Sequence, residues 1–319
     1  MTIRNAISAG VLAAATALPV SAQETSDLRI TLVPIFDTIP FHAAQAEGYF
    51  AEEGLTLDGT PSQGGARGVP AVMSGSVQIV FTNIVSILQA KAQGLPLKII
   101  APAQQTMAVE PDNAGLMVGA GSGIKTGADL EGKRVAVNTR NNIIWLYARH
   151  WIDSNGGDSE KVTFVEVPFP QMPDALLNGQ VDAAFVSQPF LGRLMQDDGA
   201  EVLGWPYGFE GKRTATSFYA VTEQFAAENP ETIAGFTRAL EKGIEWTNAN
   251  YDTPAAIEVV TGFTKMDPQV IDTIMDVPWE YSPEINRGSV ETTMSLLVKY
   301  GLIDAPIDLD EAIYSAPSN

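Results

Sequence analysis

The chain has 319 residues, 19 Lys plus Arg against 38 Asp plus Glu, and no cysteine. That length suits about two domains, and 45% hydrophobic with 18% charged residues supports packed cores rather than disorder. The net charge of −19 argues against nucleic acid or an anionic membrane as partner, and the absence of Cys removes disulfides, thiol nucleophiles and thiolate metal sites.

Arg4 is the only charged side chain before Glu24, and Ala6 to Val20 is almost continuously small and apolar. Val20-Ser21-Ala22 then places small residues at the −3 and −1 positions of a cut before Gln23. This is the layout of a cleavable signal peptide over residues 1–22; about 15 apolar residues fall short of the ~20 that span a bilayer. Cleavage would leave 18 basic against 38 acidic residues. Export of a Cys-free chain points to the periplasm.

In chain order, Ile30–Val33 reads as a buried strand, Pro40–Glu53 as a helix, Leu55–Thr60 as a strand, and Val69–Ser74 as an amphipathic run. Gly75-Ser-Val77-Gln78-Ile-Val-Phe81-Thr82-Asn83 follows as a turn, a strand and a polar tip. The plan then returns. Val135–Val137, Asn142–Asn155, Val162–Val167 and Met172–Asn178 precede Gly179-Gln-Val181-Asp182-Ala-Ala-Phe185-Val186-Ser187. The opening strands lie 45 and 44 residues before their glycines, and each glycine suits the left-handed position after a helix. A helix–Gly–strand match alone is common; the matched upstream spacing indicates two duplicated lobes.

A boundary is expected at Val109–Ala114, where Glu110-Pro111-Asp112-Asn113 punctuates the chain, and a second crossing at Tyr207–Ser217. Phe218–Val221 reads as a strand, and the helices Pro230–Asn250, Pro254–Thr261, Pro268–Met275 and Ser289–Tyr300 are expected to return to the first lobe. The fold class is therefore α/β: two lobes with parallel or mixed sheets, flanked by helices, around a hinged cleft. Residues 23–110 and 216–319 form lobe 1, and residues 111–215 form lobe 2.

In open α/β sheets a ligand sits at the carboxyl ends of the strands. Lobe 1 offers the candidates Phe36, Asp37, Thr38, Gly64, Gly65, Arg67, Thr82 and Asn83, with Ser217 and Phe218 from the returning strand. Lobe 2 offers Thr139, Arg140, Asn141, Asn142, Trp145, Ser187 and Gln188. Thr38 suits a helix cap, Gly64 and Gly65 let backbone N–H groups approach a ligand, and several helix N-termini converge. Arg67 and Arg140 supply forks for a sulfonate or carboxylate, or are simply solvated. Asp37 either meets a ligand ammonium or caps its turn. Phe36, Trp145, Phe169 and Phe218 are wall or core positions, with Trp145 the best wall candidate.

At these residues the sequence resembles the nitrate/sulfonate/taurine-type periplasmic solute-binding proteins of ABC importers, a family that also holds binders of thiamine pyrimidine precursors. The resemblance rests on Pro40-Phe41-x5-Glu47-Gly48-Tyr49-Phe50-x3-Gly54-Leu55, Gly64-Gly65, Gly75-x-Val77 and Val165-Glu-Val-Pro-Phe-Pro-Gln-Met-Pro173, then Gly179-x-Val181-Asp182-Ala-Ala-Phe185 and Pro189-Phe190. It runs in order over most of Leu28 to Phe190. It implies the type II binding-protein fold with two crossings. It also implies a small polar, anionic solute (sulfonate- or taurine-like, or a carboxylate), an ABC permease with its cytoplasmic ATPase as partners, a monomer, and no cofactor or metal. The tip positions carried over are Thr38, Gly65, Thr82, Asn83, Asn141, Gln188 and Ser217-Phe218. Many relatives have an acidic residue where this chain has Gln188, which favours an anion or neutral molecule over a cationic or aminopyrimidine ligand. A pyrimidine or thiamine precursor, or another heteroaromatic, is the alternative.

An enzyme is disfavoured. His42 and His150 are the only histidines, each within a helical run, and no nucleophile elbow, phosphate loop, zinc helix or calcium loop occurs. The family's pyrimidine-synthesising enzymes carry a cysteine-rich motif that is absent here. An exported sensor-input protein is the third class.

Overall fold

A computed structural model describes residues 26–208, 211–275 and 279–316; the expected signal peptide lies outside them. The first sheet holds β1 (Ser26–Leu32), β2 (Leu55–Pro61), β3 (Ile79–Asn83) and β4 (Leu97–Gln105). The second holds β5 (Ala114–Gly119), β6 (Arg134–Val137), β7 (Thr163–Glu166), β8 (Ala183–Ser187) and β9 (Ala200–Gly204). β10 (Ala215–Thr222) returns to the first sheet. The spatial orders are β2-β1-β3-β10-β4 and β7-β6-β8-β5-β9, the same plan twice.

In each sheet the first three strands are parallel, and the fourth position is antiparallel to both neighbours. That fourth strand, β10 or β5, is the one the chain enters after crossing between lobes. A crossing delivers the chain at the cleft, so the strand runs away from it, against its neighbours. The sheets are therefore mixed, and the carboxyl ends of β1, β3, β6 and β8 face the cleft.

The central strands β3 and β8 are buried along their whole length, which is why IVFTN and AAFVS carry apolar side chains on both faces. Gly75 (φ 72°) and Gly179 (φ 65°) adopt the left-handed conformation that the repeat requires. The single helix expected over Pro40–Glu53 is two helices, Ile39–Ala46 and Tyr49–Glu52, separated at Gly48 with φ 78°. Strands β4, β5 and β9 escaped the sequence reading. β5 carries Gly115 and Gly119, and β9 is partly exposed throughout, so neither shows a clean period.

Against β10, Tyr219 packs on Phe236 of the helix Pro230–Asn250 (ring centroids 5.4 Å) and on Phe41 (6.1 Å), and Phe41 meets Phe50 at 5.1 Å. The later helices touch both lobes. Gly192 in lobe 2 admits Ile274, which would lie 2.5 Å from an added Cβ. The helix Arg287–Lys299 bridges the cleft from behind: the Tyr147 and Thr293 hydroxyls are 2.8 Å apart, and Tyr300 Oη donates to Asp153 at 2.7 Å.

Candidate functional site

Several contacts among the described residues cross the cleft. The Phe36 amide donates to Gln188 O (3.1 Å), and the Ile143 amide donates to Asn83 Oδ1 (3.2 Å). Gln89 Nε2 donates to Asn141 O (2.9 Å), and Arg67 Nη2 to Glu166 (2.9 Å). Gly64 packs on Asn138, whose Nδ2 would be 2.6 Å from an added Cβ. The lobes are closed on one another.

Between them lies a cavity of about 40 Å³. A single water takes about 10–15 Å³ on this measure, so the closed chamber suits a small molecule. Asp37, Gly65, Thr82, Asn83, Asn142, Ser187 and Ser217 line it, as the sequence reading placed them at the tips. Gly65 is there because a Cβ would fall 2.5 Å from Thr82 Cα. Asn83 caps the helix Ile84–Ala92 through the Ser86 amide, and Asn142 caps Ile143–Ser154 through the Trp145 amide. Each Asn thereby turns a helix N-terminus toward the cavity.

Asp37 is its only carboxylate among the described residues. Ser217 Oγ donates to Asp37 Oδ2 at 2.6 Å, Thr216 Oγ1 at 3.4 Å, and the Asn113 side chain also bonds it. Burial nonetheless pushes the carboxyl up to about 6, with the hydrogen bonds acting in the opposite direction. Asp112 lies nearby in the first crossing. Burial pushes it up to about 7, against lowering by the Asn113 and Met107 amides, with the charge of Asp37 adding a further increment. The Thr82 hydroxyl and Asn113 Oδ1, both at the cavity, are buried with no hydrogen-bond partner among the described residues.

Other candidates stand elsewhere. Thr38 does not cap its helix; its hydroxyl donates to Val33 O and Ile35 O, because the preceding turn brings those carbonyls closer. Phe36 and Phe218 are core, Phe36 against Tyr251. Gln188 accepts the Gly192 amide and so braces its own turn. Thr139 packs beside Gly64. Arg67 pairs with Glu166 at the mouth; Arg140 donates its amide to Glu166 and its guanidinium to Phe164 O. Trp145 stacks edge-on with Phe164 and under Arg149, facing outward. Neither arginine nor Trp145 lines the cavity: Arg67 is drawn to Glu166, and the turn through Asn141 (φ 55°) carries Arg140 and Trp145 along the outer edge of β7.

Asn113, Thr216 and Tyr207 line the cavity without having been singled out. The available signal was their position: all three sit at the two crossings, which are also the floor of the cleft. Larger grooves among the described residues include one of about 770 Å³ beside His42 and Phe263, one of about 470 Å³ behind Tyr207, and one of about 470 Å³ beside Arg140 and Trp145. The small cavity is the better site because buried polar groups from both lobes and both crossings converge on it.

Residues 35–257 match the model of the family described as NMT1/THI5 like. The chain belongs to that family. Among its relatives, the taurine-binding periplasmic protein of Escherichia coli is 27% identical over 227 residues, 70% of this chain and 68% of the relative. The riboflavin-binding protein RibY of Chloroflexus aurantiacus is 23% identical, across 94% of this chain and 89% of its own. In fold, the chain is similar to the alkanesulfonate-binding protein SsuA from Xanthomonas axonopodis pv. citri bound to MOPS, with TM-score 0.76 and 17% identity over 92% of this chain and 99% of that one. The chain has the periplasmic binding protein fold. Among the described residues no helix is long and apolar enough to cross a membrane.

Proposed function

We propose that this chain is the substrate-binding component of an ABC importer and that its closed cavity holds a small zwitterion, an amino sulfonate or amino carboxylate of about taurine's size. The observation that carries the reading is Asp37: a buried carboxylate in the cavity, beside the unpartnered Asn113 Oδ1. Both are acceptors, so the site favours a ligand that brings N–H or O–H donors, and an ammonium satisfies a buried carboxylate best. The Thr82 hydroxyl and the helix N-termini at Gly65, Asn83 and Asn142 supply donors for the ligand's anionic end. The expectation of a simple anion held by Arg67 and Arg140 gives way to this reading, since both guanidiniums are engaged outside the cavity. The relatives named for taurine and alkanesulfonate support the sulfonate half of it.

In this reading the protein is exported behind residues 1–22, acts as a monomer, and exchanges lobes at 110/111 and 215/216. Ligand closes the lobes for docking on the permease. Thermal-shift measurement separates the ligand classes, because a ligand at 100 times its dissociation constant stabilises by about 2.7 kcal/mol. Taurine or β-alanine should stabilise the protein, and ethanesulfonate and nitrate should not. Equal stabilisation by ethanesulfonate sinks the zwitterion. An aminopyrimidine would use the same acceptors against Phe169 and Tyr207 and would show as the sole stabilising class.

A further inference from the structure

Arg67 and Arg140 stand at the mouth of the cleft with a different task from ligand binding. Glu166, the last residue of β7, accepts from both sides. Its Oε1 takes the Arg140 amide at 2.7 Å, within lobe 2, and its Oε2 takes Arg67 Nη2 at 2.9 Å, across the cleft. The Arg140 guanidinium is tied back to Phe164 O on the same strand, so the 140 turn is braced and Glu166 is aimed. Arg67 lies in the first turn of the helix Gly65–Met73, three residues after Gly64, which presses on Asn138 of lobe 2, while Gly65 presses on Thr82 of its own lobe. Arg67 can therefore reach Glu166 only when that glycine turn is seated on lobe 2. Beside it, Gln89 donates to Asn141 O, whose left-handed backbone presents the carbonyl to lobe 1.

We propose that Glu166 is the positioning residue of a cleft latch: pre-oriented by Arg140, it captures Arg67 on closing and raises the closed population before any ligand is bound. The pair is partly exposed, with side-chain exposures of 55% and 38%. Its effect on the open–closed equilibrium is therefore about fivefold at most, and it is weakened by salt.

The absence of cysteine makes the test clean. Ala227→Cys in lobe 1 and Asp198→Cys in lobe 2, both exposed, accept a dye pair, and single-molecule energy transfer on the ligand-free protein reads the closed fraction. Arg67→Gln and Glu166→Gln should each lower the closed-to-open ratio by about two- to fivefold, and the double variant should be no lower than the worse single one. Raising salt from about 50 to about 500 mM should lower the ratio in the wild type and leave Glu166→Gln unmoved. Melting temperatures of all variants should match the wild type, since a fold defect would not. Additive losses, an equal salt response in Glu166→Gln, or a wild type with no closed population each overturn the assignment. Because no ligand is present, these outcomes are independent of which solute the cavity takes.

Discussion

Replacing Asp37 by Asn should make the free protein more stable and the ligand complex much weaker. The carboxyl is raised from 3.8 to about 6 by burial, which at about 1.36 kcal/mol per unit corresponds to about 3 kcal/mol. The sign follows from proton binding: the folded state holds the proton more tightly than the unfolded chain does. Stability is therefore full below 3.8, falls as pH rises through about 6, and stays reduced above it. Asp112, raised to about 7 for the same reason, adds a second decline of the same sign.

Asn at 37 removes the first decline while weakening the charge-assisted bond from Ser217, a loss of about 1 kcal/mol. The net gain at pH 8 is about 2 kcal/mol by urea unfolding, and it should vanish at pH 4. Binding moves the other way. An ammonium left without its buried carboxylate loses about 3–5 kcal/mol, or more than a hundredfold in affinity. Isothermal titration of taurine or whichever amine stabilises the wild type measures this directly. A variant that is no more stable at pH 8, or that keeps its affinity for the amine, would refute the role assigned to Asp37.

Three further outcomes follow from the same geometry. Amine affinity in the wild type should weaken as pH falls from 8 to 5, by about tenfold per unit below about 6, whereas an anion held only by helix N-termini would show the opposite trend or none. Gly65→Ala should cost about 1–3 kcal/mol in urea unfolding, since its Cβ meets Thr82 backbone at 2.5 Å and backbone cannot step aside. Asn83→Ala should cost about 1 kcal/mol through the lost Ser86 cap. It should also lower the closed fraction, because Ile143 N–H loses its acceptor across the cleft; a stability loss with unchanged closure would confine Asn83 to capping.

Much of the framework was readable along the chain because it is set by local periodicity. Alternating apolar strands and helices, and two glycines forced to positive φ, repeat with nearly equal spacing, and the two five-stranded sheets follow from that repeat. The helix start at Asn142 was readable for the same reason, since its cap acts on an amide three residues away, whereas the cap expected at Thr38 does not form. The candidate cavity was half readable, as the strand tips that line it.

Its chemical character was not. Arg67 meets Glu166 across 99 residues, and Ser217 meets Asp37 across 180. The first contact withdraws a cation from the site, and the second holds an anion in it. No window of sequence contains either pair, and a tip residue's direction depends on how the opposing lobe seats against it. The sequence alone determined two duplicated α/β lobes with polar tips. Only tertiary closure decided which tips face inward, because burial and partner charge, rather than residue type, set whether a side chain serves the ligand or the latch.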